Sequence, residues 1–171
     1  MYQFAEMFPR AIRSGAAALL ILAMTQIAAD AKASDEAVLT VNGAVTADGG
    51  SLVFDMATLQ SMPSVTFSTS TNWTDGISAF TGVPLKVLLD AVGATGTEVE
   101  AIALNNYSAS IPVDSIDEDS PIIAYAIDGQ AFSRRDKGPL WVVYPYDESD
   151  AYRNELIYGR SVWQLRTLTV K

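Results

Sequence analysis

Apolar and polar positions alternate along most of this chain, and that alternation predicts strands. Ala37-Val38-Leu39-Thr40-Val41 alternates and is β-branched, with Asn42-Gly43 after it as a turn pair. After a second break at Ala47-Asp48-Gly49-Gly50, Ser51 to Phe54 makes a short strand. Asp55 then suits the N-cap of a short helix through Leu59, closed by Pro63. Ser64 to Thr71 alternates at first and ends in a run of hydroxyls, the pattern of a strand entering a loop. That loop, Asn72-Trp73-Thr74-Asp75-Gly76, leads to Phe80-Thr81-Gly82-Val83-Pro84. Pro84 suits the first position of a helix whose stripe is Leu85, Val87-Leu88-Leu89 and Val92, with Gly93 as its stop. Glu98 to Leu104 and Tyr107 to Val113 read as a hairpin about Asn105-Asn106. Ile122 to Ile127 is a strand ended by Asp128-Gly129, and Leu140 to Val143 is apolar enough for a fully buried one. Residues 147–160 are polar and ambiguous, and Val162 to Val170 alternates as a closing strand. With no repeat or linker, residues 34–171 read as one strand-rich α+β domain.

Residues 1–33 break the pattern. Arg10 and Arg13 precede the apolar run Gly15 to Met24, and small residues follow to Ala31-Lys32-Ala33. Basic, apolar, then small-x-small is the order of a secretory signal peptide, so cleavage is expected after Ala33, with Ala31 as second choice. The tolerably apolar stretch is shorter than the roughly 20 residues a spanning helix needs. The mature protein is therefore expected in the periplasm or outside the cell, without stable membrane insertion.

Composition narrows the chemistry. The chain has 171 residues, 11 Lys and Arg against 20 Asp and Glu, and neither His nor Cys. Removing residues 1–33 takes away Glu6, Asp30, Arg10, Arg13 and Lys32 and moves the net charge from −9 to −10. Without imidazole or thiolate, ordinary zinc sites, Ser-His-Asp and Cys-His nucleophile systems and Fe–S clusters are excluded. No disulfide can form, so the domain must stand on its core. Acidic charge of this size argues against a nucleic-acid partner. The acidic runs Asp114-Ser115-Ile116-Asp117-Glu118-Asp119 and Asp147-Glu148-Ser149-Asp150 lack the Gly and Glu spacing of an EF-hand and read as solvated loops.

A set of short motifs gives the domain a relative. Phe80-Thr81-Gly82-Val83-Pro84-Leu85, Leu88-Leu89 and Gly93 are followed by Asn106-Tyr107, Ile111-Pro112, Asp128-Gly129, Gly138-Pro139-Leu140, Pro145-Tyr146-Asp147 and Trp163. In this order the chain resembles the molybdopterin-binding oxidoreductase domain of the sulfite-oxidase type, over roughly residues 37–170. The resemblance implies an α+β fold around a mixed, curved, partly barrel-like sheet with a few short helices, and a cofactor cleft at one end. It also exposes a departure. The family's enzymes ligate molybdenum with a Cys thiolate just before the Phe-Thr-Gly-Val-Pro-like motif, where this chain reads Phe67-Ser68-Thr69-Ser70-Thr71-Asn72-Trp73. A hydroxyl is a poor substitute for a soft thiolate on a redox metal. The His and most of the Arg residues expected around the pterin phosphate are missing as well. Folded export of a loaded enzyme uses a twin-arginine signal, and Arg10 and Arg13 are separated by Ala11-Ile12.

The expectation is thus an exported, cofactor-free binding or sensing domain with no catalytic residues and no metal. One alternative is an active oxidoreductase that holds molybdopterin without the Cys ligand, and another is a structural or partner-binding subunit. If the family's cleft persists, Thr69, Thr71, Asn72 and Trp73 line it from the former ligand loop, and Tyr107 and Tyr146 from the matched motifs. Arg134 and Arg135, with Lys137, form a basic cluster. It reads either as a bidentate clamp for a small polar or anionic ligand beside Trp73, or as a solvated hairpin tip paired with Asp136.

Overall fold

The computed structural model describes residues 36–46 and 49–171, so the expected signal segment and its cleavage site lie outside the described residues. Alternation builds two five-stranded sheets. In the first, β1 (Ala37–Gly43) lies between β2 (Ser51–Asp55) and β10 (Leu165–Val170), and β10 continues to β5 (Glu98–Ala103) and β6 (Ser108–Pro112). The β1–β10 pair is parallel, with Thr40 opposite Thr167, and the other pairs are antiparallel. In the second, β3 (Val65–Ser70), β4 (Ile77–Pro84) and β7 (Ile122–Ile127) run in order, with β8 (Gln130–Ala131) and β9 (Trp141–Val143) both paired to β7. The architecture is strand-rich and mixed with few short helices, as the resemblance implies, and among the described residues the strands close no barrel.

Helix α1 (Met56–Ser61) starts where Asp55 accepts the Thr58 amide at 2.7 Å. Helix α2 (Leu85–Ala91) buries Leu85, Leu88 and Leu89, and Val92 behind them. Three expectations are corrected. Asn42-Gly43 is not a turn: Asn42 pairs with Ser51 on one side and Thr169 on the other, and these two neighbours hold the strand extended through Gly43. Pro84 caps α2 from outside, at an extended ψ of 134°, rather than opening it. The closing strand starts at Leu165, not Val162, because Trp163 makes a separate bridge to Trp141. The ambiguous stretch resolves into a 3₁₀ turn, Asp150–Tyr152, and α3 (Glu155–Arg160), whose Asn154 cap accepts the Ile157 amide at 3.1 Å. No described helix is long and apolar enough to cross a membrane.

Candidate functional site

The loop between β3 and β4 carries Trp73. Its turn is set by Thr71, whose hydroxyl accepts the Trp73 amide at 3.0 Å and pairs with the Thr74 hydroxyl at 2.8 Å. This fixes the indole among other rings. Trp73 meets Trp163 with centroids 5.6 Å apart, Trp141 at 5.8 Å, Tyr158 at 6.0 Å and Tyr146 at 6.4 Å, all in edge-to-face geometry. Tyr107 enters from the β5–β6 turn, where Asn105 accepts its amide at 3.0 Å, and its hydroxyl donates to the Gly159 carbonyl at 2.7 Å.

Three adjoining hollows surround these rings. The most apolar, about 280 Å³, is lined by Trp73, Tyr107, Tyr158 and Trp163 together with Ala103, Asn105, Ser161 and Val162. Tyr158 is shared with a second hollow of about 210 Å³, which also takes in Ser70, Thr71, Asn72, Tyr146 and Arg153. Trp73 and Trp163 are shared with a third of about 320 Å³, beside Asp136 and Lys137. Tyr146 is buried; its hydroxyl donates to Ser161 Oγ at 2.6 Å, and burial pushes its pKa up to about 12, so it stays neutral. Burial likewise raises the Tyr144 hydroxyl, which has no hydrogen-bond partner among the described residues.

Thr71, Asn72, Trp73, Tyr107 and Tyr146 therefore lie around adjoining hollows. Thr69 does not line them. It is fully buried, and its hydroxyl accepts the Asp147 amide at 3.1 Å and donates to the Ser70 carbonyl at 3.3 Å. Neither arginine lines these three hollows. Arg134 pairs with Glu36 at 3.1 Å and borders a separate hollow with Pro139 and Leu165, and Arg135 is exposed. The basic residue on the Trp73–Trp163 wall is Lys137, neighboured by Asp136 at 2.9 Å. Sequence reasoning missed Tyr158 and Trp163 as lining residues. The only signal for Trp163 was its place as a motif residue, and Tyr158 lay in the ambiguous stretch.

One expected solvated acid has a structural task instead. Asp147 accepts the Ser70 amide at 2.6 Å and the Ser70 hydroxyl at 2.7 Å, and it also pairs with Arg153, whose Nε donates to the Tyr146 carbonyl at 2.9 Å. With the Thr69 contact, this latches residues 69–70 directly to residues 146–147. Above all the Ser70 amide, then its hydroxyl and Arg153, hold the Asp147 carboxyl down at about 2. A depressed carboxyl contributes stability that is present above its unfolded value and lost as pH falls toward the folded one. The melting temperature of the protein is therefore expected to fall between about pH 5 and pH 2, and more steeply than that of Asp147→Asn, which lacks this titration. Superimposable acid limbs in a thermal melt series would show that the latch contributes nothing. Among the described residues, no group of three or more acidic side chains is arranged to hold a metal ion.

Comparison with known proteins adds one match. A family model described as an oxidoreductase molybdopterin binding domain matches residues 26–148, more than half of the chain, and ends before α3 and β10. No curated protein matches the chain.

Proposed function

The chain belongs to the oxidoreductase molybdopterin-binding domain family, and from that premise we propose that it is an exported, cofactor-free member that binds or senses a small molecule. The observation that carries the proposal is the aromatic hollow beside the segment where the family's enzymes supply their metal ligand. A pocket with aromatic walls and few polar groups is the ordinary form of a small-ligand site. At about 280 Å³ it suits a compact ligand.

The donor set supports the cofactor-free part. The segment Phe67 to Trp73 offers hydroxyls in place of a thiolate, and no Cys exists elsewhere in the chain to replace it. The Thr69 hydroxyl, deep in that segment, is already committed to the Asp147 amide and the Ser70 carbonyl. Arg153, beside the same corner, is committed to Asp147 and the Tyr146 carbonyl. The residues present do not fit a thiolate-ligated molybdenum centre, so no reaction step is assigned through one. Export rests on the basic, apolar and small-residue order of residues 10–33.

The test uses the aromatic cluster itself. All three tryptophans of the chain, Trp73, Trp141 and Trp163, belong to it, so intrinsic fluorescence reports on the hollow. Protein isolated from its native host is expected to contain far less than one molybdenum per chain, and a screen of small polar and charged molecules is expected to yield one that shifts its tryptophan emission. About one molybdenum per chain with a pterin absorbance overturns the cofactor-free reading. A screen that leaves emission and melting temperature unchanged throughout overturns the ligand reading.

A further inference from the structure

We propose that the hollow between Tyr107 and the wall of Trp73, Trp163 and Tyr158 binds a small organic cation with an alkylated, quaternary-type ammonium headgroup. The inference rests on the ligand-site reading above and adds the charge and class of the ligand.

Geometry comes first. Tyr158 and Trp163 stand at 88° and 74° to Trp73, so the three rings of this wall face in different directions. Tyr107 is half exposed and is held toward them by its hydroxyl's bond to the Gly159 carbonyl. A flat neutral molecule gains stacking from only one such ring at a time. A compact positive charge gains from every ring whose face is turned to it, because each aromatic face is negative and attracts a cation within about 6 Å of its centroid regardless of the other rings' planes.

The polar lining then selects among cations. Among the described residues no charged side chain lines this hollow, and besides the tyrosine hydroxyls and the indole N–H groups its polar side chains are Asn105 and Ser161. Ser161 already accepts from Tyr146 and donates to the Ile157 carbonyl. A primary ammonium brings three donors that would need acceptors, whereas a fully alkylated one brings none. A carboxylate or phosphate would find neutral amide and indole donors here but no cationic side chain in the lining to offset the desolvation of its charge.

Two further observations agree. The same aromatic cluster already holds an ammonium, since Lys137 Nζ lies 5.7 Å from the Trp141 ring centroid. The chain's net charge of −9 draws cations toward its surface and repels anions. Lys137, which lines the neighbouring hollow with Trp73 and Trp163, does not reverse this, because Asp136 sits against it at 2.9 Å.

The experiment separates charge from shape. The full chain is titrated at constant ionic strength with choline chloride, tetramethylammonium chloride, 3,3-dimethylbutan-1-ol (the shape of choline with carbon in place of nitrogen) and sodium benzoate, followed by tryptophan emission and calorimetry. Choline is expected to bind at least about tenfold more tightly than the alcohol, with benzoate weakest. Tyr107→Leu is expected to weaken choline binding by roughly tenfold while Tyr107→Phe, which keeps the ring face, stays within about threefold. Melting curves of both variants check that the fold persists. The assignment is overturned if the alcohol binds as tightly as choline, if benzoate binds and choline does not, or if Tyr107→Leu binds choline unchanged. In the first two cases the ligand-site reading survives with a different ligand class. Silence from all four probes overturns the cation assignment, and the wider screen then decides the ligand-site reading.

Discussion

Trp141→Ala is expected to cost about 4 kcal/mol of unfolding free energy, at the upper end of what loss of a single core side chain brings about. Trp141 is fully buried in β9, opposite Ala124 of β7. Its ring meets Phe80 at 5.5 Å, Trp73 at 5.8 Å and Phe132 at 6.0 Å, and its indole N–H donates to the Ser161 carbonyl at 3.2 Å. Alanine would leave a cavity among three aromatic rings, of which Phe80 is fixed in β4 and Trp73 in its loop, and it would strip the Ser161 carbonyl of its donor. Trp141 also bridges to Trp163, so one residue ties the second sheet to the approach to β10. Urea unfolding should show the loss as a lower midpoint at unchanged slope. Trp141→Phe, which refills part of the space but restores no donor, should fall between the two. A loss below about 1 kcal/mol would mean that the cluster collapses into the gap and that the Trp73 hollow is not rigidly supported.

That dependence explains which parts of the molecule could be read in advance. The α2 stripe, the β5–β6 hairpin and the Asp128-Gly129 turn are local: periodicity and turn residues specify each within one short contiguous stretch, and the structure places them where the pattern did. Strand β4 was not legible, because Phe80-Thr81-Gly82-Val83-Pro84 carries a Gly and a Pro and resembles a lead-in to the helix. It becomes a strand through its neighbours on both sides, β3 and β7. The site divides in the same way. Thr71, Asn72 and Trp73 sit on one loop, so a resemblance to that loop was enough to group them. Trp163 and Tyr158 reach the hollow only because β10 inserts between β1 and β5, a pairing of residues more than 60 positions apart that leaves no local signal. The surroundings of Arg134 were hidden for a related reason. Sequence shows a basic cluster, but not that Glu36, nearly 100 residues earlier, will take Arg134. Asp147 looked like one acid among several in a polar run, and only the approach of Ser70 turns it into a latch.

Gly82→Ala is expected to be nearly as damaging as the loss of Trp141, although it adds a single methyl group. Gly82 lies in β4 where the register against β7 slips: Thr81 is opposite Ala126 and Gly82 opposite Ala124, so Tyr125 is the extra residue of a bulge. There the two backbones approach so closely that a Cβ on residue 82 would lie 2.3 Å from the Ile123 carbonyl oxygen and 2.6 Å from the Ala124 Cα. Those atoms are main chain and cannot swing away as a side-chain end would, so relief requires β7 to separate from β4. Separation would weaken the ladder from Val83 to Pro84 and displace Phe80, which packs on Trp141. A cost of about 3 kcal/mol follows, the upper range for overpacking a close-packed site, and valine should prevent folding. Gly129→Ala is the control. It stands at a φ of 76° in the β7–β8 turn with nothing within 4 Å of a new Cβ, so only left-handed strain of about 1 kcal/mol is added. Parallel urea titrations of the two variants decide the matter: if Gly82→Ala loses no more stability than Gly129→Ala, β7 gives way at the bulge, and the close approach does not hold Phe80 and Trp141 in place.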